Sequence, residues 1–186
     1  MRAPLTAALT LAAAALLIRG LRAEDKRPLP SDRVKAFLGG ESVVSILWSA
    51  DRVECFRVHP EKPPEPMGKE CGGYPITATA EGRKADFARS IADILFDERT
   101  YLFDTAKRCA FEPGVGFRFW IREKEHVELL LCFHCDELEV HYLPPGAREP
   151  KTAREDFDPA RPALVRIVKD GFPKDEEIQK LEEKRK

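Results

Sequence analysis

Cysteine is the residue type in this sequence whose number and spacing offer the most chemistry. It occurs five times, as Cys55, Cys71, Cys109, Cys132 and Cys135. In an oxidising compartment such thiols pair as disulfides by default, and all five are disulfide candidates. An odd count leaves at least one thiol unpaired or bridged to another chain. One candidate bridge joins Cys55 to Cys71 across the proline-rich loop between them.

The later cysteines predict a bridge from Cys109 to Cys132 or Cys135. A hairpin centred near residues 123–124 would place Cys132 opposite Val115. A turn at Pro113-Gly114 would then fold Cys109 back toward the end of the second strand. In the chain-entropy model, closing a loop of about 25 residues stabilises a domain by about 3 kcal/mol.

A zinc site is the second interpretation of the same cysteines. Cys109, Cys132 and Cys135, with either His134 or His141, would supply four ligands of the kinds that zinc prefers. The C-F-H-C spacing provides half of a zinc knuckle, and no second short pair accompanies it. In an extended strand the two thiols would lie about 10 Å apart on opposite faces. Zinc binding therefore requires a turn within the C-F-H-C segment.

A thiol–disulfide redox centre is the third interpretation. In thioredoxin-like proteins the C-x-x-C pair begins a helix, whose N-terminus lowers the pKa of the thiol. Here the segment after Cys135 is acidic and has the pattern of a strand, apart from a turn expected at Asp136-Glu137. The sequence also lacks G-x-S-x-G, H-E-x-x-H and C-x-x-C-H. No residue is therefore assigned a catalytic role.

The elements that position these residues predict an α+β fold. Alternating or β-branched segments predict strands, and helical spacing of apolar residues predicts a helix over 83–98. A second helix begins near Asp158-Pro159 and ends at Gly171, after a polar loop. Residues 42–48 fit either a helix or a strand. We expect a small antiparallel sheet of hairpins, with two main helices packed on one face. The predicted strands are 53–58, 74–79, 115–121, 126–133 and 138–143.

The N-terminus has the pattern of a secretory signal peptide over residues 1–23. Arg2 precedes an uncharged run, 5–18, and small residues follow near Ala23, where we expect cleavage. The run is shorter than the roughly 20 residues that a membrane span needs. We therefore expect a secreted or periplasmic protein with no stable transmembrane anchor after cleavage.

Three parts are predicted for the mature chain. They are an N-terminal segment with a short helix, 24–50, a single α+β domain, 51–173, and a charged C-terminal tail, 174–186. The 31 basic and 32 acidic residues nearly cancel, which argues against nucleic acid as a partner.

Three stretches of the sequence together resemble a group of uncharacterised bacterial secreted proteins. They are Cys109-Ala-Phe-Glu-Pro113, the later Cys132-Phe-His-Cys135, and an upstream strand around Cys55. A closing helix with Gly171-Phe-Pro173 also matches, so the similarity covers about residues 50–175. The resemblance implies export and a shared fold, and it implies no activity.

The sequence thus predicts an exported domain with a binding or structural role rather than a catalytic one, and no cofactor. The rival hypotheses are a zinc-binding module and a redox protein, both centred on C-F-H-C. The sequence names neither a ligand nor a partner.

Overall fold

The computed structural model describes residues 29–65, 68–105, 107–122 and 125–184. The predicted signal peptide lies outside these residues. Within the described ranges, no helix combines the length and the apolar character needed to cross a membrane.

An antiparallel sheet organises the chain. Its central path runs in the order β2-β3-β1-β5-β6-β7-β8, and β4 pairs with the start of β1 beside β3. From β5 to β8 each strand pairs with the next, so the predicted meander is confirmed and extended by one strand. The strands are β1 (Arg52–Val58), β2 (Glu70–Cys71), β3 (Tyr74–Thr79), β4 (Arg83–Lys84), β5 (Val115–Ile121), β6 (Glu125–Cys132), β7 (Glu137–Tyr142) and β8 (Lys151–Asp156).

In the part of the chain that the structure describes, five α-helices accompany the sheet, so the prediction of two main helices is not confirmed. The ambiguous segment 42–48 belongs to a helix, despite its valines. The helices are α1 (Asp32–Leu38), α2 (Glu41–Ser49), α3 (Ala85–Phe96), α4 (Arg161–Gly171) and α5 (Glu176–Gln179). Leu38, Leu47 and Ile178 enter the same core as the strands. Helices before residue 51 and after residue 173 therefore pack with the central part of the chain.

Side chains alternate along each strand between two faces of the sheet. The face that packs against the helices, here the helix face, carries Cys55, Phe117 and Leu129 in the main core. The opposite face, here the hairpin face, carries residues next to these in sequence, such as Gly116 and Leu130. A smaller buried cluster lies on that face and includes Leu130 and Cys132.

The sheet curls so that the β2–β3 hairpin folds over the hairpin face. The backbone N–H of Gly72, in the hairpin turn, donates to the Glu128 carboxylate on β6 at 2.7 Å. Gly72 has φ +59°, and a Cβ there would lie 2.6 Å from the Leu130 side chain. Glycine is thus required both by the backbone conformation and by the close approach.

Two expectations about local structure are wrong. Residues 151–156, predicted as a polar loop, form the edge strand β8, which pairs with β7 along its whole length. The expected turn at Asp136-Glu137 instead spans residues 133–136, and Glu137 is the first residue of β7. This shift places Phe133, His134 and Cys135 in the turn, directly after Cys132 at the end of β6.

Candidate functional site

The β6–β7 turn brings Cys132 and Cys135 together. Cys132 ends β6 and pairs across the hairpin with Glu137, and Cys135 is the third residue of the turn. Because the turn reverses the chain, the two sulfur atoms lie 3.0 Å apart, and both residues are buried. The separation of about 10 Å expected for an extended strand therefore does not apply.

Arg161 of α4 anchors one side of this turn. Its Nη1 donates to the Phe133 carbonyl oxygen at 3.0 Å and forms an ion pair with the buried Asp136 carboxylate. Asp136 has φ +53°, a conformation that Asp adopts more readily than most residues. The Phe157 N–H donates to the Asp136 carbonyl oxygen at 2.7 Å. Two backbone carbonyl oxygens and one carboxylate of the turn thus accept hydrogen bonds from residues outside the hairpin.

Lys107 anchors the turn at Cys135. Its ammonium group donates to the Cys135 carbonyl oxygen at 2.6 Å. The same group pairs with the carboxylates of Asp156 at 2.8 Å and Asp158 at 2.7 Å. Anchors from two distant segments fix the turn, and with it the positions of both sulfur atoms.

Cys109 is the third cysteine at this turn, and Cys109, Cys132 and Cys135 together form a group of three neighbouring thiols. Its thiol lies 3.4 Å from the carbonyl oxygen of Ala110, and the Cys135 thiol lies 3.9 Å from the same oxygen. Cys109 is half-buried, and its side chain packs against the cluster that contains Cys132 and Cys135. Cys135 is therefore the residue shared by two sulfur neighbours.

The surroundings of Cys135 keep its thiol protonated. Burial raises the pKa of Cys135, and hydrogen bonds with Cys132, Cys109 and Glu137 raise it further. The Cys135 thiol donates to the Glu137 carboxylate at 3.2 Å. A redox-active C-x-x-C thiol requires the opposite, a lowered pKa, and a helix N-terminus commonly supplies it. Here the pair lies in a turn between two strands.

The histidines proposed as zinc ligands do not complete a metal site. His134 is exposed on the turn, and His141 lies four residues beyond Glu137 on β7, about 13 Å along the strand. His141 is instead bound to Glu139 at 2.9 Å and Thr152 at 3.1 Å. Among the residues that the structure describes, no group of three or more His, Cys, Asp or Glu is arranged to hold a metal ion.

The distance between the two sulfur atoms can be compared with that in a disulfide and with that in a zinc thiolate pair. Two thiolates on a tetrahedral zinc with bonds of about 2.3 Å lie about 3.8 Å apart. The observed 3.0 Å between Cys132 and Cys135 is shorter than that spacing. It lies between that spacing and the roughly 2.05 Å of a sulfur–sulfur bond, about 1 Å longer than the bond.

Cys55 and Cys71 are separated by the sheet. Cys55 is on the helix face opposite Phe117, whereas Cys71 lies over Gly116 on the hairpin face. Burial raises the pKa of Cys55 to about 12 and that of Cys71 well above its ordinary value. The candidate bridge between them is not formed. None of the five cysteines, which all lie in the described ranges, forms a disulfide in this structure.

A groove lies at the other end of β6 and β7, between α2 and the loop 143–150. This end groove is a cavity of about 390 Å³. Val43, Ile46 and Leu143 supply apolar lining. Glu128 and His141, on paired positions of the two strands, supply polar lining.

The polar side chains of the end groove are already partnered. Glu128 accepts from Arg118 at 2.7 Å and from the Gly72 N–H at 2.7 Å. His126, which also lines the groove, stacks against Trp120 with ring centroids 4.7 Å apart. Partial burial lowers the pKa of His126, which favours the neutral ring near pH 7. No role for Glu128 or His126 could be predicted from the sequence, because their partners lie on other strands.

Comparison with family models, with curated proteins and with solved structures finds no match. The resemblance based on the C-x-F-x-P and C-F-x-C segments therefore stays a prediction.

Proposed function

We propose that this chain is an exported domain with a binding or structural role, in which a disulfide from Cys135 to Cys132 or Cys109 fastens the β6–β7 turn. One observation carries the proposal. The buried Cys135 sulfur lies 3.0 Å from the Cys132 sulfur and is hydrogen-bonded with Cys109, inside a turn that Lys107 and Arg161 hold in place. Export is supported by the leader pattern of residues 1–23.

The two choices of partner differ in what they contribute to stability. In the chain-entropy model a Cys132–Cys135 bridge closes a loop of about 4 residues and contributes about 2 kcal/mol. A Cys109–Cys135 bridge closes about 27 residues and contributes about 3.5 kcal/mol. Either amount is a large share of the 5–15 kcal/mol that is typical of a domain. A structural role thus needs no reactive thiol.

The raised pKa and the burial of Cys135 argue against this thiol as the attacking group of a redox centre. Disulfide exchange proceeds through a thiolate, and burial beside the Glu137 carboxylate disfavours that form. The zinc alternative has less support, because no group of three or more His, Cys, Asp or Glu in the described residues is arranged to hold a metal ion. A structural bridge uses the same sulfur atoms without either requirement.

The end groove is where we place the binding role. Small-molecule sites commonly have volumes of about 300–1,000 Å³ and mostly apolar walls with a few polar groups. The end groove, at about 390 Å³, has that character. Because Glu128 is paired with Arg118, we expect a small uncharged ligand with an apolar body.

Intact mass of the mature protein tests the bridge. After denaturation and alkylation without reductant, we expect three alkylated thiols and a mass lower by the two hydrogen atoms that one bridge removes. Five alkylated thiols would contradict the proposal. A zinc mass that is present in the native spectrum and lost on denaturation would favour the metal alternative instead.

A binding screen tests the end groove. Amide chemical shifts are recorded while small neutral fragments are added, and we expect the shifts to cluster at α2 and at residues 141–150. The variant Ile46→Lys, which places a charge in the groove, should abolish them. Leu102→Lys, at an exposed leucine outside the groove, is the matched control and should keep them. Shifts that map elsewhere would contradict the assignment.

A further inference from the structure

We propose that Cys109 is a modification site, whose thiol forms a mixed disulfide with a small organic disulfide while Cys132 and Cys135 are bridged to each other. This inference rests on the disulfide at Cys135 proposed in the preceding subsection. It adds which thiol is left over and what that thiol reacts with.

Accessibility separates the three thiols of the cluster. Cys132 is 0% exposed and Cys135 is 2% exposed, so neither sulfur is in reach of a molecule in solution. Cys109 is half-buried and lies in the segment that leads from Lys107 to β5. An external disulfide can therefore meet the cluster at Cys109.

Because three thiols lie together and one bridge uses two of them, the choice of bridge decides which thiol stays free. A bridge from Cys135 to Cys132 leaves the accessible Cys109 thiol. A bridge from Cys135 to Cys109 leaves the inaccessible Cys132 thiol. Cys55 does not enter this choice, because it lies on the helix face. Cys71 belongs to the same buried cluster as Cys132 and Cys135, but it lies on β2 over Gly116, and we expect it to stay unpaired.

The 3.0 Å contact favours the first arrangement. Cys132 and Cys135 are both fixed, one by its ladder pairing with Glu137 and the other by the Lys107 bond to its carbonyl. A bond between them needs the sulfur atoms to approach by about 1 Å. Cys109 reaches Cys135 from a segment outside the sheet, so its sulfur remains the leftover group.

The modification balances in atoms and electrons. The Cys109 thiolate attacks one sulfur of a disulfide R–S–S–R, and a Cys109–S–S–R bond forms as the R–S–S–R bond breaks. The leaving thiolate takes up the proton that Cys109 lost and departs as R–SH. The external disulfide is the oxidant, and the existing Cys132–Cys135 bridge is unchanged.

Tryptic mapping after treatment with oxidised glutathione tests this inference. Trypsin cleaves after Arg108 and Arg118, so Cys109 lies in peptide 109–118, whereas peptide 125–148 contains both Cys132 and Cys135. Untreated thiols are blocked with N-ethylmaleimide before digestion. We expect glutathione on peptide 109–118, about ten-fold above any other cysteine, and an internal bridge in peptide 125–148.

Two variants and a control make the outcome specific. In Cys132→Ser the remaining partner of Cys135 is Cys109, so the two peptides become linked and glutathione labelling falls about ten-fold. In Cys109→Ser the label is lost and the internal bridge remains. Cys55→Ser, at a buried cysteine on the helix face, keeps the wild-type pattern.

The results that overturn the inference differ from those that overturn the bridge. An internal bridge in peptide 125–148 with unlabelled Cys109 refutes the modification site alone. Wild-type peptides linked through Cys109 refute it as well, and leave the structural bridge standing. Alkylated thiols at Cys109, Cys132 and Cys135 in untreated protein refute the disulfide itself.

Discussion

The two faces of the sheet are built on different principles. The helix face is a continuous apolar core, with Phe117, Phe119 and Leu129 from neighbouring strands buried beneath the helices. The hairpin face combines a small buried cluster with paired charges, such as Glu128 with Arg118 and Glu139 with Arg154. Because side chains alternate between the faces, neighbouring residues of one strand contribute to the apolar core on one side and to the small cluster and charge pairs on the other.

The difference between the faces shows which contacts require one particular partner. Apolar packing on the helix face tolerates exchange among residues of similar volume. On the hairpin face each polar group has a particular partner, and the cysteine turn is fixed by Lys107 and Arg161. We expect changes on the helix face to lower global stability most, and changes on the hairpin face to reveal individual contacts.

Two neighbouring leucines of β6 give the largest expected effect. Leu129, on the helix face, and Leu130, on the hairpin face, are both fully buried. We expect Leu129→Ala to lower the free energy of unfolding by about 3–5 kcal/mol and Leu130→Ala by about 2–3 kcal/mol. The smaller cluster, covered by a short hairpin, collapses more readily around a cavity. Urea unfolding measures both, and a larger loss for Leu130→Ala would reverse the comparison.

The ion pair that anchors the cysteine turn gives the second-largest expected loss of stability. Asp136→Ala leaves the Arg161 guanidinium without its buried carboxylate, and we expect a loss of about 3 kcal/mol. Asp136→Asn keeps a residue that tolerates positive φ and a hydrogen-bond acceptor, so it should lose less. Chemical denaturation of both variants separates charge from backbone conformation. Equal stability of the two variants would contradict a contribution from backbone conformation and the hydrogen-bond acceptor, because both variants lack the charge.

Close packing of the β2–β3 hairpin against Gly116 of β5 gives a smaller expected loss of stability. A Cβ at Gly116 would lie 2.8 Å from the Cys71 sulfur and 3.2 Å from the Leu130 side chain. We expect Gly116→Ala to cost about 1–3 kcal/mol, whereas Gly114→Ala, with open space around it, serves as the control. Adding Cys71→Ala should recover part of the loss, because it removes the nearest atom. No recovery in a double-mutant cycle would contradict the contact.

The charge pair of Glu139 gives the smallest effect, and it depends on pH. Burial alone would raise the pKa of this carboxyl, but hydrogen bonds from His141 and Arg154 outweigh it, so the pKa lies below the ordinary 4.5. The native carboxylate thus binds protons less readily than the unfolded one. Its contribution is present above pH 4.5 and is lost as the pH falls through the native pKa. Glu139→Gln should flatten this part of the stability profile, and an unchanged slope would contradict it.

Much of the sheet could be predicted from local sequence, because β5, β6 and β7 are rich in apolar residues, which either alternate with polar residues or occupy both faces of the strand. β8 could not, since Ala153 is its one apolar residue and its strand character comes from backbone pairing with β7. The valines of α2 favour a strand as much as a helix, and packing against the sheet decides between them.

The candidate site was predictable only in part. The C-F-H-C spacing identified Cys132 and Cys135, and Cys109 was included as their partner. The turn was placed too late because Asp136-Glu137 has turn-like composition. Lys107 and Arg161 carried no signal, since each lies more than 20 residues from the turn and reaches it through tertiary packing.

The most direct test of the disulfide at Cys135 is the melting temperature with and without reductant. We expect reduction to lower the wild-type value by about 4–8 °C for a Cys132–Cys135 bridge, or about 7–14 °C for a Cys109–Cys135 bridge. Cys135→Ala should show no dependence on reductant, whereas Cys55→Ala, at a buried cysteine on the helix face, should keep the wild-type dependence. A wild-type melting temperature that reductant leaves unchanged would contradict the structural bridge.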